Sequence, residues 1–401
     1  MQLNFPNLKI LYSDIESFEE MKRLPGRKIF DKEVCDFLNE LSNAIRRDKE
    51  CKSYPDIITF GFFCRKANIE KIKKEYKEEY RIGRGFSFHI APSNVPINFA
   101  YTLVAGLLSG NTCVVRASTK DFKQTTIICR LIKQVIDQNK FSIGKYIGIV
   151  QYNHNKEIND YFSNLSDIRV IWGGDYTVEE IRKSRIQPRC VEVVFADRES
   201  ACVIYAEKVL EIEDWNEVAQ KFYNDTYLYD QNACSSPHLI YWIGKEETVA
   251  QAKLLFWSMI HNQVSKKYKI EPIIAIDKLT MACKAAIEKE NTKIIFDKDN
   301  LICRMELATL ETDSLCYSCP GGSYLEYQSE KIQDLEVVIT KKFQTLSYLG
   351  GNGKELADWV IERGVEGVDR IVPMGKTADF TLIWDGYNLV EEMSRKVYFV
   401  S

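Results

Sequence analysis

Apolar residues recur at helical spacing between positions 31 and 47, where Val34, Phe37, Leu38, Leu41 and Ile45 fall on one face, and this pattern predicts an amphipathic helix. From 68 to 81 the chain is heavily charged, with Ile69, Ile72, Tyr76 and Tyr80 repeating every three or four positions. Lys and Glu are intermixed there and nearly cancel, so the expectation is a solvated helix over the core rather than a binding patch. After Gly85 the pattern changes to short apolar runs separated by turns. Phe86 to Ile90 reads as a strand, Ala91 to Pro96 as a loop, Ile97 to Ser109 as a helix closed by Gly110, and Thr112 to Arg116 as a second strand. That order is a βαβ unit and implies a parallel sheet.

The alternation continues with a helix near 125–139, a strand near 147–152, a helix near 156–165 and a strand at 168–172; Gly173 and Gly174 then open a helix from Val178. A doubly wound nucleotide-type domain therefore fills the first half. From Asp230 a second alternation begins: a strand at 239–243, a long helix at 246–265, short strands to about 346, a helix at 354–363, and strands at 370–372 and 380–383. No tandem repeat or low-complexity linker interrupts it.

Composition narrows the function classes. The 401 residues are 45% hydrophobic and 28% charged, with a formal net charge of −3, which offers no general attraction for a polyanion and argues against nucleic acid as partner. No basic head followed by an apolar run opens the chain. The uncharged stretch Gly85–Val115 is interrupted by Pro92, Pro96 and Gly110, too short between breaks for the ~18 to 20 residues of a membrane span, and is read as buried core. Twelve irregularly spaced cysteines point to reduced thiols and a cytoplasmic protein rather than to a disulfide framework. Cys316 and Cys319 lack the second pair a zinc site needs, so they read as structural and no metal is expected.

Two segments carry candidate chemistry. Cys234 lies in Asp230-Gln231-Asn232-Ala233-Cys234-Ser235-Ser236-Pro237, a polar turn of small residues before a strand, whereas Cys113, Cys129 and Cys202 lie in apolar runs; an accessible thiol is the candidate nucleophile and the buried ones are core. Asn94 stands between two prolines at the carboxyl end of a buried strand, where open α/β sheets place ligands. The alternative for Asn94 is a loop or helix cap. The usual Gly-x-Gly-x-x-Gly fingerprint is missing.

Residues 85–387 also resemble a family. SNVP followed by a helix and GNTCVVRAS resembles the aldehyde dehydrogenase superfamily, and FHIAPSNVPINF, LLSGNT, WGGDYTVEEIR, DQNACSSPHL and DRIVPMGKTADFTLIWDGY, in that order, look more closely like the fatty acyl-CoA reductases of the LuxC type. The first 80 or so residues show no such likeness. The resemblance implies an aldehyde dehydrogenase-like α/β fold, two Rossmann-like domains with the active-site cleft between them. Residues 1–228 would hold an N-terminal helical segment and the NAD(P)-binding domain, and 229–378 the catalytic domain with the nucleophilic Cys. Residues 379–401 would return to the first domain or to the oligomer interface.

By the same resemblance Cys234 attacks a thioester carbonyl and becomes acylated, hydride transfer then releases a fatty aldehyde, and Asn94 with the Cys234 backbone N–H forms the oxyanion hole. Arg116, Ser118, Thr119 and Lys120 match the segment that contacts the adenosine ribose. The acid common after the Ser in NAD-preferring members is Thr119 here, so nothing repels a 2′-phosphate and Arg116 or Lys120 could pair with one; NADPH is favoured, with NADH as the alternative. Gly173, Gly174 and Thr177 match the helix N-terminus near the pyrophosphate, although a tight strand-to-helix turn needs the same glycines. Glu192 is the nearest counterpart of the superfamily's general base, without the Gly-Gly pair that should follow it. The Glu-x-Phe-Gly-Pro that holds the nicotinamide ribose has no clear counterpart, and Cys319-Pro320-Gly321-Gly322 stands near its place. His238 is a weaker candidate partner for the thiol.

The implied substrates are acyl-CoA or an acyl carrier, the implied partners an acyl-protein ligase and further copies of the chain in a homo-oligomer. Two other readings remain at this level: an aldehyde dehydrogenase, acylating or hydrolytic, or a non-catalytic member that binds an acyl chain or a partner.

Overall fold

The computed structural model describes residues 5–76 and 80–400. The chain divides into two compact units, one running to Ala196 and taking up the segment from Phe380 onward, the other spanning Asp197–Asp379. In chain order the strands are β1 Lys9–Ser13, β2 Arg81–Gly83, β3 Phe86–Ile90, β4 Thr112–Arg116, β5 Ile147–Gln151, β6 Ile168–Trp172, β7 Val191–Phe195, β8 Glu199–Tyr205, β9 Leu239–Ile243, β10 Lys293–Phe296, β11 Cys303–Glu306, β12 Ser323–Ser329, β13 Phe343–Leu349, β14 Arg370–Pro373, β15 Ile383–Trp384, β16 Tyr387–Asn388 and β17 Ser394–Lys396.

The first unit is built on a six-stranded sheet of order β1-β5-β4-β3-β6-β7, parallel except for β1. Its chain order reverses between β3 and β6, which makes that pair the topological switch point. The helix Asn98–Leu108 is buried at every position but its first, because it lies within the unit's largest apolar cluster. Gly106 lets this helix close on the sheet: a Cβ there would stand 2.5 Å from Cys113 Sγ and 3.0 Å from His89 Nε2. The helix Lys32–Arg47 buries Val34, Phe37, Leu38, Leu41 and Ile45, the face that its periodicity marks. The segment from Phe380 is fastened to this unit by β17 pairing with β2 and by Asn111 Nδ2 donating to Met393 C=O at 2.9 Å.

The second unit holds a seven-stranded sheet of order β10-β11-β12-β9-β8-β13-β14, in which only the β10 edge pair is antiparallel. The unit boundary lies at 196/197, not at 228, because β8 hydrogen-bonds to β9 and β13 although it follows directly on β7 of the other sheet.

Several elements differ from the pattern reading. The charged segment after 65 is a helix only over Lys66–Lys73, followed by a short turn of 3-10 helix; residues 77–79 of that expectation lie outside the described residues, and Arg81 is already in a strand. Pro272–Glu288 is a helix where only short strands were expected. Its apolar Ile273, Ile276, Leu279 and Ile287 are exposed, so no one-sided burial pattern announces it. Phe380–Leu382 is not strand, and only Ile383–Trp384 pairs, with Tyr387–Asn388. No described helix is long and apolar enough to cross a membrane.

Candidate active site

Among the cysteines, burial separates inert thiols from reactive ones. It pushes the thiols of Cys113, Cys129 and Cys202 up to about 12 and those of Cys303 and Cys319 up to about 11, where almost no thiolate forms near neutrality. Cys234, Cys283 and Cys316 are exposed. Cys234 differs from these by its setting, a turn immediately ahead of β9, a central strand of the second sheet.

The turn is held from several sides. Asp230 and Gln231 both adopt positive φ, 52° and 60°, a conformation non-glycine residues keep only where their surroundings demand it. The demand is visible at Gln231, which is 1% exposed. Its Nε2 donates to Pro237 C=O at 2.9 Å and Ser323 C=O at 3.0 Å, and its Oε1 accepts from the N–H groups of Gly322 and Ser323 at 2.9 and 3.1 Å. Gly321 N–H also donates to Asp230 C=O at 2.9 Å. The Cys-Pro-Gly-Gly stretch therefore braces the cysteine turn. Lys278 secures that stretch in turn, its buried ammonium donating to Asn300 C=O at 2.5 Å and Gly321 C=O at 2.8 Å.

Two further side chains reach Cys234 itself. Ser200 Oγ donates to the Cys234 carbonyl at 2.7 Å, and Gln344 Nε2 donates to Cys234 Sγ at 3.4 Å. Neither Gln231, Ser200 nor Gln344 stands out in the sequence. The one available signal was a glutamine within the otherwise strand-like run Phe343-Gln344-Thr345-Leu346, where a buried amide must find partners. His238 is oriented otherwise: its N–H and C=O bond to Ser200 and Leu325, and its ring lies against the backbone of Gln231 and Cys319. Burial pushes it down to about 4, so it is neutral near pH 7.

In the first unit, the loops after β3 and β6 emerge at the switch point. Asn94 is exposed in the first of them. The following helix is capped by Ile97, with no side-chain cap bond, so Asn94 is not its N-cap. Gly173 and Gly174 follow β6, and Gly174 is the N-cap of the helix Asp175–Arg182. A Cβ on Gly173 would lie 2.9 Å from Thr177 Cγ2, which keeps the turn bare. Asp175 stands in that helix's first turn, where it already meets the helix dipole.

At the end of β4, Arg116 gives Nε and one Nη to Tyr152 C=O at 3.3 and 3.2 Å and lies 4.8 Å from the centre of the Tyr152 ring. Ser118 Oγ accepts from the Lys120 N–H at 3.2 Å, and Thr119 and Lys120 are exposed. Glu192 sits on β7 with both carboxylate oxygens engaged. Arg169, 2% exposed, donates through Nε at 2.8 Å and through a second nitrogen, and Arg182 Nε donates at 2.7 Å. Both carboxylate oxygens of Glu192 thus already accept from guanidinium groups. His261, Asp297 and Asp299, absent from the sequence reading, place ligand atoms within 4.8 Å of one another; a 2.7 Å His261–Asp299 hydrogen bond accounts for part of that grouping.

The acyl-CoA reductase (LuxC) family profile matches residues 65–396. A long-chain acyl-protein thioester reductase of Vibrio harveyi is 26% identical over 332 residues, 79% of this chain and 64% of that protein. That of Aliivibrio fischeri is 25% identical over 193 residues, 47% of this chain and 37% of that protein. The chain thus spans less than two thirds of the length of either relative. Among solved structures, an NAD-dependent benzaldehyde dehydrogenase from Corynebacterium glutamicum superposes with a TM-score of 0.61 at 12% identity, covering 94% of this chain and 86% of that one, and the fold is that of the aldehyde dehydrogenases. With a family match over more than four fifths of its length, the chain belongs to the acyl-CoA reductase (LuxC) family.

Proposed function

We propose that this protein reduces a fatty acyl thioester to the aldehyde, with Cys234 as the acyl-accepting nucleophile. The observation that carries the reading is the exposed Cys234 thiol, hydrogen-bonded at sulfur and carbonyl and mounted on a turn braced through Gln231. A nucleophile held in one geometry meets its carbonyl with little further ordering. The Cys234 thiolate attacks the thioester carbonyl, and the carrier leaves as its thiolate, which takes up a proton. Asn94 and the Cys234 N–H would hold the oxygen while it is charged; one such donor is worth ~2.7 to 4 kcal/mol. After hydride delivery to the acyl carbon, collapse breaks the C–S bond and frees the aldehyde and Cys234.

A nicotinamide cofactor would supply that hydride. The bare Gly173–Gly174 turn at the switch point suits a pyrophosphate, and Arg116, Ser118, Thr119 and Lys120 would receive the adenosine ribose. Without an acid at 119 a 2′-phosphate meets no repulsion, so NADPH is the expected donor. The relatives carry acyl-protein thioester in their names, which favours an acyl group on a protein carrier beside acyl-CoA as substrate. The occupation of Glu192 by two arginines speaks against hydrolytic aldehyde oxidation, which needs a base to activate water.

The test is intact-protein mass after mixing with a long-chain acyl-CoA, followed by NADPH. An acyl adduct that forms on the parent, is absent in Cys234→Ala, and disappears as aldehyde is released supports the reading. Undiminished adduct and turnover in Cys234→Ala would overturn it.

A further inference from the structure

Gln344 lies 110 positions from Cys234 in the sequence, and an irregularity of β13 brings its amide to the sulfur. Phe343 pairs with Glu199 and Thr345 with Ser200, so Gln344 is an extra residue between consecutive rungs of the β8 ladder. In an unbroken register residue 344 itself would face Ser200. Bulges of this kind re-aim one side chain and recur beside active sites. Here the displaced ladder is repaired by Ser200, whose Oγ accepts from Thr345 N–H at 3.2 Å while donating to Cys234 C=O. The Thr345 hydroxyl donates to Gln344 Oε1 at 3.2 Å, which turns the NH2 end of the amide toward the thiol. Gln344 is 1% exposed, and a buried amide held at its oxygen has little freedom to move away from the sulfur.

We propose that Gln344 is a catalytic residue of the Cys234 site, donating an N–H to the sulfur so that the thiolate is favoured both before attack and when the sulfur leaves. The proposal rests on Cys234 being the acyl acceptor. A donor hydrogen bond stabilises a thiolate more than a thiol or a thioester sulfur, so it helps at two points. In the free enzyme it raises the thiolate fraction. In the acylated enzyme the sulfur is a poor acceptor, and the bond is regained as the C–S bond breaks, when the electron pair returns to sulfur and the carbonyl of the aldehyde forms. The second contribution acts in the transition state and so raises the rate of aldehyde release.

The experiment uses the full chain in a Cys283→Ser, Cys316→Ser background, so that Cys234 is the exposed thiol under observation. Iodoacetamide alkylation is followed by intact mass across pH 5 to 10, with Cys234→Ala identifying the adduct. Gln344→Met keeps the length of the side chain and removes the donor. Gln344→Glu keeps its shape and places a carboxylate beside the sulfur. The alkylation midpoint should rise by about one pH unit in Gln344→Met, a roughly tenfold loss of thiolate below the midpoint, and further in Gln344→Glu. In single-turnover assays with NADPH, aldehyde release from the acylated enzyme should slow more than the midpoint shift alone predicts for acylation.

Coincident midpoints for the parent and both variants, with unaltered thermal melts, would overturn the proposal. Should one variant fail to fold, the other decides the question through the same midpoint. The outcomes stay separable. Acyl labelling of Cys234 with unmoved midpoints rejects the role of Gln344 alone, and a shifted midpoint without acyl labelling rejects the thioester reading while leaving the Gln344–Cys234 hydrogen bond in place.

Discussion

Gln231 and Ser323 hydrogen-bond to each other in both directions: Gln231 Nε2 donates to the Ser323 carbonyl at 3.0 Å, and Gln231 Oε1 accepts from the Ser323 N–H at 3.1 Å. The side-chain amide thus behaves as an extra peptide unit laid against the start of β12. Together with the Gly321 N–H to Asp230 C=O bond it joins the cysteine turn and the Gly321–Gly322 turn into one object.

Gln231→Ala should be destabilising, because Gly322, Ser323 and Pro237 each lose a partner in a buried place. An unsatisfied buried group costs ~1 to 3 kcal/mol, and relaxation will keep the total below the sum. The denaturant midpoint should fall, and iodoacetamide should modify Cys234 with a broader spread of rates. An unmoved midpoint would show that the turn holds without Gln231.

Asn94→Ala should slow acylation ~100 to 1000-fold in single-turnover measurements if the amide serves the oxyanion. The melt should barely move, since Ile97 is the cap of the following helix and Asn94 is exposed. A shifted melt with unchanged acylation would return Asn94 to a purely structural role.

Thr119→Glu should lower the ratio of kcat/KM for NADPH over NADH by about tenfold or more, a like-charge contact at ~4 Å being worth ~1 to 4 kcal/mol between bulk water and a protein surface. Thr119 is exposed just beyond β4, so the change has room to be accommodated. An unchanged ratio would mean that the adenosine ribose lies elsewhere.

Glu192→Gln leaves the buried Arg169 charge with a neutral partner. Breaking such a pair costs ~3 kcal/mol or somewhat less where, as here, the carboxylate keeps some solvent. Stability should drop while turnover per folded molecule stays constant. The opposite result, full stability with a slowed reaction, would restore Glu192 as a base.

Two buried groups give stability opposite slopes with pH. His89, hydrogen-bonded to Thr102 and Ser87, is pushed down by burial to about 3; the unfolded chain therefore binds the extra proton, and stability is lost as pH falls from ~6.5 toward 3. Asp225, accepting from Gly375 and Thr377 N–H, is pushed up by burial to about 6. The native state holds that proton, and stability is lost as pH rises from ~4 through 6. Asp225→Asn should make urea stability climb more steeply between pH 4 and 6 than in the parent, by ~3 kcal/mol across the window at most, and His89→Gln should make it climb less. Parallel profiles for all three proteins would contradict both assignments.

The alternating pattern of apolar runs was sufficient to place β3, β4, β5 and β6 with the helices between them, and β9, because burial on both faces of a parallel sheet leaves unbroken apolar strands in the sequence. It also set Cys234 apart from the cysteines inside such runs. The helix Pro272–Glu288 escaped it, since that helix exposes several of its apolar residues and periodicity reports only what is buried. The unit boundary escaped it too, because β7 and β8 carry no clear apolar alternation in the sequence and only their ladders assign them to different sheets.

What the sequence by itself determined is therefore the local part: the strands and helices of the βαβ run from Phe86 to Trp172, the turn that presents Cys234, the loop that presents Asn94, and the family to which the ordered motifs belong. The tertiary structure alone decided that Gln344 faces the Cys234 sulfur, that Gln231 splints the turn, and that Glu192 is held by Arg169 and Arg182. The first two depend on partners far away in the chain, 110 positions for Gln344 and 91 and 92 for Gln231, and the third on arginines 23 and 10 positions away on neighbouring elements. A hydrogen bond across such a separation is fixed by strand register and by one bulge in β13, and a one-residue slip would send the same side chain to the opposite face.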